Sequence, residues 1–252
     1  MTSTLTSEQW LSDWNDWHAA RERAILAPHG VAANTGTTWL SEAPQFIAGL
    51  PGEWVTRDGR ATDAQHNLAL APGEEHLSGD KLIKVIVPRP GTIAVRVFDP
   101  AAPTRTGIDG IEAFAPDPAW VLQGHFEPAG PESTIAIKHA DGVTTDDRLA
   151  GSVQVQMAGQ QLRLAAWPSA GAGIRELTFT DATNGVSTKQ FRFLTFAAPD
   201  SGGVVELDFN RAFLPPCAFG AGYLCPIPPA QNRLPFAVEA GERFPHRSDQ
   251  PW

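Results

Sequence analysis

The sequence predicts a mainly β protein: an antiparallel sandwich or partly closed barrel with one N-terminal helix and an irregular proline-rich C-terminal wrap. Three observations predict it. Among 252 residues, 23 are Gly and 22 are Pro, a density of breakers that a helical bundle does not tolerate. Beyond residue 30, short β-branched and aromatic runs alternate with Gly, Pro, Asn and Asp clusters, the period-two pattern of strands and turns. No helical periodicity separates those runs, which favours antiparallel pairing over βαβ crossovers. A hydrophobic fraction of 42% supplies enough apolar surface for a sizeable core.

The elements follow in order. Leu5 to Trp10 reads as a helix start, because Thr6 with Gln9 makes a capping box and Leu5 staples onto Trp10. Trp10, Leu11, Trp14, Trp17, His18, Arg21 and Ile25 share one stripe at helical spacing, and Pro28-His29-Gly30 ends it. Residues 1–30 are thus expected as a helix packed on the body through its tryptophans, with a sugar- or partner-binding platform as the alternative. Residues 31–252 are expected as a single β-rich domain. In it, 82–87 and 92–98 flank the turn Pro88-Arg89-Pro90-Gly91, 119–126 and 134–139 are further strands, and 152–157 and 161–167 flank Ala158-Gly159-Gln160. Residues 175–180 and 191–196 enclose the turn-rich Asp181-Ala182-Thr183-Asn184-Gly185, and 204–209 closes a series of about eight strands. The Pro- and Ala-rich stretch 99–106 is expected as a long loop within the domain.

The net charge of −9 repels a phosphate backbone or an anionic leaflet, so neither nucleic acid nor membrane is expected as a partner. The basic set is 15 Arg and 4 Lys, and the planar Arg fork suits two-point recognition of carboxylates. The N-terminus shows no basic cluster followed by an apolar run, and no stretch approaches the ~18 apolar residues of a membrane span. A cytoplasmic protein is expected. No Gly-x-Ser-x-Gly elbow, phosphate loop, dinucleotide fingerprint or His-Glu-x-x-His occurs, and the seven histidines show no metal-ligand spacing. No metal or cofactor is expected, and the oligomeric state stays open.

The tail, 209–252, is dense in proline, which fixes φ and removes backbone donors, so a rigid irregular wrap is expected. It carries Asp208-Phe209-Asn210-Arg211, Pro215-Pro216-Cys217, Cys225-Pro226-Ile227-Pro228-Pro229, Asn232-Arg233-Leu234-Pro235 and Glu239-Ala240-Gly241-Glu242. This run resembles the signature of the domain of unknown function (DUF) family 1684 of bacterial and archaeal proteins. The likeness extends upstream to Gly110-Ile111 with Phe114, to Phe179, Asp181, Thr183, Asn184 and Gly185, and to Arg192-Phe193-Leu194. The resemblance implies a shared fold and carries no activity with it.

Candidate site residues come from the residues themselves. If 191–196 and 204–209 are neighbouring antiparallel strands, Arg192 faces Asp208 across the pair. Its neighbours Leu194 and Phe196 are apolar, so its guanidinium needs that carboxylate. A structural ion pair is one reading; the sharper one leaves a donor edge on Arg192 for an anionic ligand oriented by Asp208 and Asn210. Asn210-Arg211 and Asn232-Arg233 bracket the cysteine turn, where Asn caps turns and Arg satisfies unpaired carbonyls, with Glu239 and Glu242 as partners. Cys217 and Cys225 admit three states: two reduced buried thiols, a disulfide, or metal or redox chemistry. His125 lies mid-strand and is a candidate acid-base group if its face lines a pocket.

The leading expectation is a protein that binds a small anionic molecule in a pocket of the β body lined by Arg192, Asp208, Asn210, Arg211, Asn232 and Arg233. The alternatives are a metal-free enzyme, such as a hydrolase, with His125 or Asp208 as base, and an interaction module docking through the tryptophan helix.

Overall fold

In a computed structural model describing residues 7–169, 171–220 and 222–247, helix α1 (Ser7–Ile25) opens the chain. The capping box and staple at Leu5 and Thr6 lie outside the described residues. On the helix, Trp14 and Ile25 are buried, while Trp10, Trp17, His18 and Arg21 are partly covered. Leu11 corrects the expected stripe: it is 42% exposed, because the covered surface is narrower than the apolar pattern. Chain packing divides the protein into two units, a larger one from 7–20, 111–218 and 224–246, and a smaller one from 21–110 with the short segment around Phe219 to Tyr223. The sequence reading places 31–252 in one domain.

The smaller unit holds β1 (Asn34–Leu40), β2 (Trp54–Arg57), β3 (Arg60–Asp63), β4 (Leu68–Leu70), β5 (Glu75–Ser78), β6 (Lys81–Ile86) and β7 (Ile93–Phe98). They form a four-stranded sheet in the order β1-β7-β6-β5 and a three-stranded meander β2-β3-β4. Ile83, Val85, Val95 and Val97 alternate inward with Trp54, Ile47 and Ala61 to make its core, as period-two patterning requires. The β6–β7 hairpin lies where the sequence puts it. The stretch expected as a loop contains a single turn of helix, α2 (Pro103–Thr106), whose Arg105 Nε donates to the carbonyls of Leu26 and Ala27 just past α1.

The larger unit holds β8 (Gly110–Ala113), β9 (Val121–Pro128), β10 (Thr134–Lys138), β11 (Thr144–Arg148), β12 (Gly151–Met157), β13 (Gln160–Pro168), β14 (Ile174–Phe179), β15 (Arg192–Ala197), β16 (Val204–Asp208) and β17 (Glu242–His246). Six of them form an antiparallel sheet in the order β15-β14-β13-β12-β9-β16. Its edges approach each other, and Phe213, beyond β16, exchanges two backbone hydrogen bonds of 2.8 Å with Phe193. The sheet is therefore barrel-like and nearly closed. Val153, Val155, Leu164, Leu177, Phe179, Leu194, Phe196, Val205 and Leu207 fill its interior. The β12–β13 hairpin turns on Ala158 and Gly159, both at positive φ (49° and 74°), the two-residue geometry that matches strand twist.

Seventeen strands occur among the described residues, about twice the number legible in the sequence. Those missed are mostly short and polar, such as β3 and β5, and the tail itself supplies β17, paired with β8. No helix among the described residues is long and apolar enough to cross a membrane.

Candidate functional site

Strands β13 and β14 pair at Trp167 with Glu176 and at Pro168 with Arg175, and there the ladder stops. Antiparallel counting puts Ala166 opposite Leu177 next and then Ala165 opposite Thr178. Instead the side-chain amide of Asn232 occupies the gap: its Oδ1 accepts from Ala165 N at 2.7 Å, and its Nδ2 donates to the carbonyls of Ala165 and Thr178 at 3.0 and 2.8 Å. The tail then continues along β14, with Thr180 N donating to Asn232 O and Leu234 N to Thr180 O. One side chain thus splices the proline-rich wrap into the sheet, replacing a lost ladder rung.

Because side chains alternate along β14, Leu177 and Phe179 enter the core while Glu176 and Thr178 point to the other face. There they line a cleft of about 200 Å³ with Trp167, Pro168, Asp147 and Pro226. At ~30 Å³ per water, it has room for roughly half a dozen waters. Thr178 is 2% exposed, and its Oγ1 has no hydrogen-bond partner. Glu176 is largely withdrawn from water, which raises its pKa above the ordinary carboxylate value, and no donor among the described residues reaches its carboxyl. Asp147 comes from the β10–β11 hairpin. Thr145 Oγ1 donates to its Oδ1 at 2.6 Å; that single proton being used, His139 Nε2, 2.7 Å from the same hydroxyl, is the donor to it. Hydrogen bonds from Ala140 N to Cys225 O and from Ile227 N to Lys138 O tie this hairpin to the tail, so the wrap builds one wall of the cleft.

Apart from Asn232, the residues singled out in the sequence lie elsewhere, and the proposed Arg192–Asp208 pair does not form. The two strands that carry them are opposite edges of the sheet. Arg192 points inward with Leu194 and Phe196, whereas Asp208 is in phase with the exposed Val204 and Glu206. Arg192 is fully buried and pairs with Asp181 at 2.7 Å. It also donates to the carbonyls of Val238 and Ala240 and lies over the Phe179 ring. Burial pulls its pKa down, while Asp181 and Glu242 push it back up. The Nε–H lacks a partner but is enclosed with the rest, so no donor edge faces a ligand. Glu242, also buried, accepts from Leu214 N.

Asp208 instead accepts from Asn210 N and Nδ2 and pairs with Arg211 at 3.3 Å. Asn210 is fully buried and bonds both backbone groups of Asp117, while its carbonyl accepts from Trp14 Nε1 at 2.8 Å. Arg211 lies over the Trp17 ring, so this cluster anchors the first turns of α1 within the larger unit. Arg233 is exposed. His125 is exposed too, on the outer side of β9 between Gln154 and Val204, while Phe126 on the other side enters the core. The acid-base reading required the His125 face to line a pocket; that face is instead the solvent-exposed outer side of the sheet. Cys217 and Cys225 are not in a disulfide; a hydrogen bond from Cys225 pulls the Cys217 pKa down against the opposing effect of burial.

Sequence reasoning missed Asp147, Trp167, Glu176 and Thr178. A signal for part of it exists: the strand Ile174–Phe179 mixes apolar and polar residues, and its alternation places Glu176 and Thr178 on one face. That the face is roofed by Pro226, 48 positions beyond Thr178, is not legible locally.

A family model described as "Protein of unknown function (DUF1684)" matches residues 106–243. An uncharacterized protein of Haloarcula marismortui, known from a solution NMR structure, is similar at 26% sequence identity and a TM-score of 0.46, over 55% of this chain and 78% of that one. No curated protein matches the chain.

Proposed function

The chain belongs to the DUF1684 family of proteins of unknown function, and on that premise we propose that its barrel-like unit binds a small polar molecule in the cleft lined by Trp167, Glu176 and Thr178. One observation carries the reading: the Thr178 hydroxyl is buried without a partner on the strand face that also carries Glu176, a half-buried carboxyl whose pKa burial raises and that no donor among the described residues reaches. A buried unsatisfied polar group costs about 1–3 kcal/mol, and a ligand that supplies hydrogen-bond donors recovers that cost on binding. Both ionisable groups lining the cleft, Asp147 and Glu176, are acids, so the occupant is neutral or positively charged. An anionic ligand at Arg192 has lost its physical basis, because that guanidinium is committed to Asp181 and two carbonyls.

The test is thermal denaturation and calorimetry against small neutral, cationic and anionic molecules. Ligand at 100 times its Kd stabilises by about 2.7 kcal/mol. The shift is expected to vanish in Thr178→Val and Trp167→Ala, with Thr178→Val alone at least as stable as the parent. An unchanged shift in both variants would falsify the assignment.

A second reading, a metal-free hydrolase, draws support from two carboxyls in unequal surroundings, Glu176 desolvated as acid and Asp147 hydrogen-bonded as base. It requires turnover that Glu176→Gln abolishes while the fold is kept.

A further inference from the structure

Resting on that reading of the cleft, we propose that its ligand is a primary organic ammonium ion, with its head among Glu176, Asp147 and Thr178 and its carbon skeleton along Trp167. The lining carries two acids and neither Lys, Arg nor His. Pro168 and Pro226 contribute no N–H, so the walls offer an anion almost nothing to bond. A hard metal cation is a poor match, since it seeks six or more oxygens in a regular shell and half of this lining is indole and proline. An indole beside carboxylates is instead the pairing that holds organic cations.

The donor count narrows the class further. A primary ammonium has three N–H donors, and the residues lining the cleft carry three acceptor groups: the Glu176 carboxyl, Asp147 and Thr178 Oγ1, the last buried and without a partner. Asp147 is positioned for this, because Thr145 engages its Oδ1 and leaves Oδ2 available. A cation also compensates Glu176, whose ionised form burial disfavours. A cleft of about 200 Å³ suits a short alkyl chain rather than a nucleotide or a peptide.

The experiment is isothermal calorimetry of the full chain at pH 8 with three probes of equal length, n-butylammonium, 1-butanol and butyrate, and with tetramethylammonium as a fourth. Butylammonium is expected to bind at least tenfold more tightly than the other three, with affinity falling as salt rises. Glu176→Gln and Asp147→Asn should each weaken it tenfold or more. Asp147→Asn keeps an oxygen to accept from Thr145, so it tests the charge even if the Glu176 variant folds poorly. If 1-butanol binds as tightly as the amine, in a manner lost in Trp167→Ala, the cleft is a ligand site and the ammonium assignment is wrong. Equal or tighter tetramethylammonium binding overturns the three-donor geometry. If no probe binds, the cleft reading and this inference fall together.

Discussion

Replacing Arg192 by Met removes a guanidinium that is 0% exposed and leaves three acceptors inside the barrel: the Asp181 carboxylate and the carbonyls of Val238 and Ala240. Asp181 keeps Thr183 N, Thr183 Oγ1 and Val238 N as donors, so its negative charge is hydrogen-bonded but uncompensated. Breaking a buried pair by removing one partner costs about 3–5 kcal/mol, a large part of the ~5–15 kcal/mol that holds a domain folded. With a Tm shift of about 2–4 °C per kcal/mol for a unit of this size, the melting point should fall by roughly 6–20 °C. The assay is urea denaturation followed by tryptophan fluorescence, reading the midpoint at constant slope. Asp181→Asn alone should also destabilise, whereas the double variant should cost less than the sum by about 1 kcal/mol or more, because the lone charge left by either single change is then absent. An Arg192→Met protein within about 1 kcal/mol of the parent, or strictly additive variants, would refute the view that this pair carries charge in a sealed interior.

Three further outcomes follow from the same contacts. Asn232→Ala strands Ala165 N, Ala165 O and Thr178 O without their partner, which should cost about 3 kcal/mol or more and speed amide exchange at Ala165. Wild-type exchange there would contradict the splice. Glu176 has a raised pKa in the folded state, so its contribution is fully present below the unfolded pKa and is lost as pH rises through the folded one. Glu176→Gln should therefore match the parent in acid and exceed it in urea midpoint at pH 8, with Asp147 as the other acid on the cleft; a variant less stable at pH 8 would reverse the sign. Cys217, its pKa lowered by Cys225, should alkylate faster than an ordinary partly buried thiol, and Cys225→Val should slow it; mass spectrometry of iodoacetamide-treated protein reads the rate at each site.

The parts of the fold written in short-range patterning were legible. The β6–β7 and β12–β13 hairpins announce themselves through alternation and turn residues, and Trp14 through helical spacing, because strand and helix periods are local properties. The apolar neighbours of Arg192 likewise marked a buried cation in need of a carboxylate. Its partner, however, is Asp181 in the preceding turn and not Asp208, since the free edge of β15 meets Phe213 rather than β16. The sequence by itself thus determined a β protein with an N-terminal helix, a rigid tail, and which side chains had to be satisfied inside. Only the tertiary structure decided by whom: Asn232 entering between two strands, and Pro226 and Asp147 closing over Glu176 and Thr178. Periodicity is set by neighbours a few residues apart, whereas barrel closure and the path of the tail depend on contacts between segments tens of residues apart, for which no local pattern carries the register.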